Sequence, residues 1–186
     1  MRVAGIFLAA GTGAGERRIP PSQSAHAQNE TSPAAAALAE FGLGGLSPVV
    51  TVVRAGDELK WLSGPLPGGI RTETSLTAHL GLSFSLRCGL NAVLPSEPDA
   101  VLVAVADGPL VTADLIGRLM NAFTASPGLD YAASRNGHKA MPPSLFARSA
   151  FPALQQLDCR LGAEGIFNSP DFKGVMVEPE GIRRIE

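Results

Sequence analysis

Two stretches of this 186-residue chain join an apolar run to residues suited to holding phosphate or a cation. In the first, Ala4 to Ala10 leads directly into Gly11-Thr12-Gly13-Ala14-Gly15. Glycine adopts positive φ and lets the main chain approach a ligand closely, so such a loop can aim N–H groups at a polyphosphate. The same spacing also serves a tight turn between strand and helix that binds nothing. In the second, Ala100 to Ala106, all alanine, valine and leucine, ends at Asp107-Gly108-Pro109. A carboxylate at the end of a rigid strand can hold Mg²⁺ against phosphates, although aspartate before Gly-Pro is also an ordinary turn former.

For either group to act, its strand must end at the edge where open α/β sheets bind ligands, beyond the strands' carboxyl ends. The remaining sequence supports such a sheet. Pro48 to Arg54 is β-branched and apolar and reads as a second buried strand, and Ile70 to Thr74 as a third. Leu129 to Ser134 and Phe172 to Glu178 are further extended candidates. Between them lie helical patterns. Thr31-Ser32-Pro33 offers an N-cap with proline in the first turn, Ala34 to Phe41 are helix formers, and Gly42 suits a stop. A short helix is expected around Asp57 to Leu62. Ser83 can cap a helix carrying Leu82, Leu86, Leu90 and Val93 on one face, with Pro95 ending it. Thr112 caps another, with Leu115, Ile116, Leu119, Met120 and Phe123 facing inward. Ser149 to Leu157 and Gly162 to Phe167 also read as helical. Strands alternating with helices imply a three-layer α/β/α, Rossmann-like domain around a mostly parallel sheet. Residues 14 to 32, polar and proline-containing, are expected to form a long mobile loop.

Composition narrows the function classes. Hydrophobic residues make up 45% of the chain and charged residues 17%, as in one packed domain, and no apolar run approaches the ~20 residues of a membrane span. The net charge is −2 with scattered basic residues, which argues against nucleic acid as a partner. Cys88 and Cys159 are far apart, without the close pairing of a zinc or redox site, so both read as packing thiols. The first ten residues lack the features of a secretory signal, and a cytoplasmic location is expected.

Several segments together resemble the MobA-like NTP transferase family, nearest its molybdenum cofactor (molybdopterin) cytidylyltransferases. They are Gly5-Ile-Phe-Leu-Ala-Ala-Gly-Thr-Gly13, Gly81-Leu-Ser-Phe-Ser-Leu-Arg-Cys-Gly-Leu90 and Val105-Ala-Asp-Gly-Pro-Leu-Val-Thr112. Arg135 to Phe146, with its Gly-His, and Leu157 to Ala163 add weaker likenesses in the same order. The resemblance implies a fold of the nucleotide-diphospho-sugar transferase type. It further implies transfer of a nucleotidyl group, CMP favoured and GMP possible, from CTP or GTP to a phosphorylated acceptor such as molybdopterin, with release of pyrophosphate. On that reading Ala10, Gly11, Thr12 and Gly13 hold the β- and γ-phosphates and Asp107 holds Mg²⁺. Gly81, Ser83 and Ser85 lie at base or ribose, Arg87 at phosphate, and His138 beside the acceptor. Ser83 as a mere cap, and Arg87 and His138 as solvated surface groups, are the competing readings.

The chain departs from the family at its cationic loop. Where relatives carry Ser-Arg-Met-Gly and then a lysine, it has Ala14-Gly15-Glu16-Arg17-Arg18, and the first lysine is Lys60. Arg17 or Arg18 is the candidate catalytic substitute, although a guanidinium does not reproduce a lysine point charge. The end of the chain lacks the family's Asp-Ile-Asp-Thr-Pro, leaving Glu186 as a second candidate metal carboxylate. Two alternatives therefore stand beside the cytidylyltransferase: a catalytically impaired relative that binds nucleotide or cofactor, and a transferase for a sugar phosphate.

Overall fold

The computed structural model describes residues 1–11, 31–62, 64–108, 111–158 and 163–179. The candidate residues Thr12, Gly13, Arg17, Arg18 and Glu186 lie outside that set, as do Cys159 and residues 14 to 30 of the expected loop.

The described residues build a seven-stranded sheet in the order β3-β2-β1-β4-β6-β5-β7. Its centre is β1 (Val3–Leu8), with β2 (Val49–Arg54) and β4 (Ala100–Val105) parallel to it on either side. Every residue of β1 is buried, which is why its sequence shows no polar alternation. Beyond β2 lies β3 (Ile70–Ser75), parallel and at the edge, with charged side chains that discourage pairing with another chain. On the other side β6 (Lys139–Ala147) runs antiparallel to β4 and to β5 (Tyr131–Asn136), and β7 (Gly174–Val177) pairs parallel with β5.

Alternate strand residues feed two cores, so the sheet is the middle of three layers. On one face Phe7, Val49, Val53, Leu102 and Ala104 meet α1 (Pro33–Leu43) and α3 (Ala113–Ala125) through Leu38, Phe41, Leu115, Ile116 and Leu119. On the other, Ile6, Leu8, Val50, Val52, Val101 and Val103 meet α2 (Leu82–Val93) and α4 (Phe151–Gln155) through Leu86, Leu90, Val93 and Leu154. The three-layer, mostly parallel architecture expected from the alternating pattern is thus the observed one, with β6 as its antiparallel exception.

Local chemistry explains the helix boundaries. Ser32 caps α1, its hydroxyl accepting from Ala35 N at 3.1 Å, and Thr112 caps α3 in the same way through Leu115 N at 3.1 Å. The first N–H of α3, that of Ala113, donates to Glu40 of α1 at 2.9 Å, tying the two helices on that face together. Cys88 is half-buried on α2, where burial first and Glu73 second push its thiol pKa up, consistent with an inert packing thiol.

Four expectations change. No helix forms over Asp57 to Leu62: the Asp57 carboxylate accepts from Leu59 N at 2.7 Å, and Leu59 adopts φ 54°, so side chain and backbone together make a turn instead. Gly42 lies inside α1, which runs on to a cap at Gly44. Strand β6 fills a segment that shows no strand pattern in sequence, because Pro142 and Pro143 interrupt it and its register with β5 shifts at Ala133 and Ser134. The helices expected over 149–157 and 162–167 shrink to α4 and to α5 (Glu164–Phe167). No described helix is long and apolar enough to cross a membrane.

Candidate functional site

The parallel registers line up the carboxyl ends of four strands. Leu8 of β1 pairs with Val52 of β2 and with Val105 of β4, and Arg54 of β2 pairs with Ser75 of β3. Across the edge the order is therefore Ser75, Arg54, Ala10 with Gly11, then Asp107. With strands about 4.8 Å apart, the row spans roughly 14 Å, the reach of an extended nucleoside triphosphate. A cleft of about 520 Å³ lies along it, lined by Ala10, Gly11, Arg54, Ser75, His79, Gly81, Ser85, Val105 and Asp107, with Leu76 and Leu82 at its rim.

At one end, Gly11 and the Asp107 carboxylate meet. A Cβ added to Gly11 would stand 3.6 Å from Asp107 Oδ2, an ordinary van der Waals contact, so residue 11 and the carboxylate are direct neighbours. Among the described residues no cluster of three or more histidine, cysteine or acidic side chains could hold a metal ion. One exposed carboxylate still fits Mg²⁺, which is bound through one or two carboxylates plus substrate phosphates and water rather than by an all-protein cage.

Two serines line the cleft from different elements, Ser75 at the end of β3 and Ser85 on α2. Ser75, a residue of the cleft lining, is 2% exposed, and its buried Oγ has no hydrogen-bond partner among the described residues. Ser85 is 1% exposed and lines the cleft from the first turn of α2, which packs on β1 and β2. The entry to α2 is set by Gly81, which adopts φ 129° and stands at the N-cap position with no side-chain cap. Ser83 is consequently not the cap expected for it. It lies within the first turn, buried, its Oγ unpartnered, beside a smaller apolar pocket formed with Leu86, Val103, Pro142 and Phe146.

The structure brings Ala10, Gly11, Gly81, Ser85 and Asp107 into one cleft and leaves three other candidates out of it. Ser83 faces the apolar pocket instead. Arg87 sits a helical turn beyond it, its Nε donating to the Ser83 carbonyl at 3.4 Å and its guanidinium stacked 4.2 Å over the Phe84 ring. His138 occupies the exposed turn between β5 and β6, at the carboxyl edge but beyond the cleft lining. Sequence reasoning missed Arg54, Ser75 and His79. The available signal was that Arg54 ends an expected strand at the ligand-binding edge; that it shares a cleft with Ser75 depends on the register of β2 with β3.

This α/β architecture carries a cleft across its central carboxyl edge, where open sheets of this kind bind ligands. The chain belongs to the MobA-like NTP transferases, whose domain matches residues 5–173. No curated protein matches it. Solved structures share its fold at low identity. Rv0371c of Mycobacterium tuberculosis H37Rv is 18% identical, with a TM-score of 0.71 over 96% of this chain and 89% of that one, and it has also been solved in complex with manganese. A nucleotidyl transferase of Methanothermobacter is 18% identical, with a TM-score of 0.68 over 96% and 88% of the two chains. A CMP:2-keto-3-deoxy-manno-octonic acid synthetase complexed with CTP is 12% identical, with a TM-score of 0.61 over 96% and 90%.

Proposed function

We propose that this protein transfers a nucleotidyl group from a nucleoside triphosphate, CTP in preference to GTP, to a phosphorylated acceptor, with molybdopterin as the favoured one. The observation that carries the reading is the presence, in one cleft, of the glycine-loop entrance beside the Asp107 carboxylate and of two buried serines, Ser75 at the far end of the strand row and Ser85 on α2. The base lies at the Ser75 end of the row. Guanine presents N1–H and N2–H donors that call for a strong acceptor, and no described carboxylate lines that end; cytosine donates only through its N4 amino group and offers O2 and N3 as acceptors to hydroxyl donors.

In the reaction, an oxygen of the acceptor's terminal phosphate forms a bond to the α-phosphorus, the bond from that phosphorus to the α,β-bridging oxygen breaks, and pyrophosphate leaves with the electron pair. The protein's task is to hold the two in line and to neutralise charge. Backbone N–H groups where β1 ends hold the outer phosphates. Asp107 is the residue that would hold Mg²⁺, whose contribution when bound is to offset the phosphate charge.

Pyrophosphate release from CTP and from GTP, with and without the pterin cofactor as acceptor, tests the proposal. Turnover that requires acceptor and is faster with CTP is the expected result; no turnover with any nucleotide overturns it. The absence of any lysine before Lys60 favours a second reading, in which the protein binds nucleotide without turning it over. Nucleotide binding without pyrophosphate release would be its signature.

A further inference from the structure

We infer that Arg54 is the residue that grips the α-phosphate of the bound nucleotide, an inference that rests on the nucleotide reading of the cleft. Arg54 ends β2 with its side chain exposed into the cleft, and among the described residues no hydrogen bond or ion pair holds its guanidinium. Its neighbours on either side define what passes over it. Ser75 is its register partner on β3, at the nucleoside end; on the other side the register of β1, carried two residues past Leu8, places Ala10 beside it, followed by Gly11 and then by Asp107, two residues past the end of β4. A nucleotide whose base lies toward Ser75 and whose outer phosphates lie at Gly11 and Asp107 crosses Arg54 with its first phosphate.

The cation is placed where the chemistry calls for one. As the bond from the α-phosphorus to the bridging oxygen lengthens, negative charge is shared by the two non-bridging α-oxygens and the leaving pyrophosphate. A planar guanidinium can donate two parallel N–H bonds to the two α-oxygens, which a single ammonium cannot match. His79, the other basic side chain of the lining, lies on the turn between β3 and α2 and lacks the planar fork of parallel N–H donors that grips two oxygens at once. Arg54 is thus the arginine of the described cleft lining, in a chain whose glycine loop is not followed by the family's lysine.

Calorimetric titration of the full chain with CTP, CDP, CMP and cytidine, in Mg²⁺, compares the wild type with Arg54→Gln and Arg54→Glu. Position 54 is exposed, and thermal melting establishes that both variants fold. The inference predicts that Arg54→Gln weakens CTP, CDP and CMP alike, each by about tenfold or more, and leaves cytidine unchanged, with Arg54→Glu weaker still. Equal affinities in wild type and Arg54→Gln overturn it, as does an equal loss for cytidine, which would place the side chain on the nucleoside. A loss confined to CTP and CDP overturns the assignment to the α-phosphate. If the wild type binds none of the four, the nucleotide reading itself fails, an outcome distinct from all of these.

Discussion

The hydroxyl of Ser32 donates to the carbonyl of Trp61 across 2.6 Å while accepting from Ala35 N, so one side chain caps α1 and anchors it to the connection between β2 and β3. Trp61 is in the core that Phe7, Leu38 and Val53 share, Ser32 is half-buried at its margin, and Trp61 is the only tryptophan of the chain. Ser32→Ala removes the cap and leaves a carbonyl without its partner. Each loss is worth about 1 kcal/mol, so urea unfolding followed by Trp61 fluorescence is expected to show a destabilisation of about 1–2 kcal/mol. An unchanged midpoint would mean that the helix start is held elsewhere.

A second prediction concerns how closely α2 packs on the sheet. A Cβ at Gly89 would stand 2.5 Å from Ile6 Cγ2 and 2.9 Å from Val52 Cγ2, and both of those methyls are on stiff β-branched side chains. Gly89→Ala regains about 1 kcal/mol of helix propensity but imposes overpacking of about 1–3 kcal/mol, and the helix must lift to relieve it. Because Gly81 and Ser85 of the same helix segment line the cleft, lower stability in urea is expected together with weaker CTP binding. Stability equal to or above the wild type would contradict the close approach.

Asp99 sets a pH dependence. Its carboxylate accepts from Arg2 N at 2.6 Å, and that backbone hydrogen bond, ahead of the opposing desolvation and the nearby positive charges, lowers its pKa below the ordinary carboxylate value. A lowered folded-state pKa contributes stability that is complete above the unfolded value of about 4 and is lost as pH falls through the folded one. Asp99→Asn is therefore expected to lower the urea midpoint more at pH 7 than at pH 3. An equal or larger effect at pH 3 would show that the charge contributes nothing.

What was legible in sequence follows from which forces act locally. The buried strands β1 and β4 stand out because burial on both faces demands continuous apolar runs, and the caps at Ser32 and Thr112 because a side chain bonds to a backbone N–H three residues on. Asp107 could be placed because it follows such a strand. Strand β6 was hidden by its two prolines, and its stability comes from pairing on both sides rather than from propensity. Ser83 looked like a cap because serine commonly is one; the backbone at Gly81 moves the helix start two residues earlier and turns Ser83 inward. Arg54 and Ser75 share the cleft only through the register of β2 with β3, a relation between distant residues that no local pattern announces.

The meeting of Gly11 and Asp107 carries the account, and calorimetry of CTP binding with and without Mg²⁺, in the wild type and in Asp107→Asn, tests it most directly. The wild type is predicted to bind CTP about tenfold or more tightly in Mg²⁺ than in its absence, and Asp107→Asn to retain the Mg²⁺-independent affinity while losing that enhancement. A Mg²⁺ enhancement undiminished in Asp107→Asn, or no CTP binding by the wild type, would contradict it.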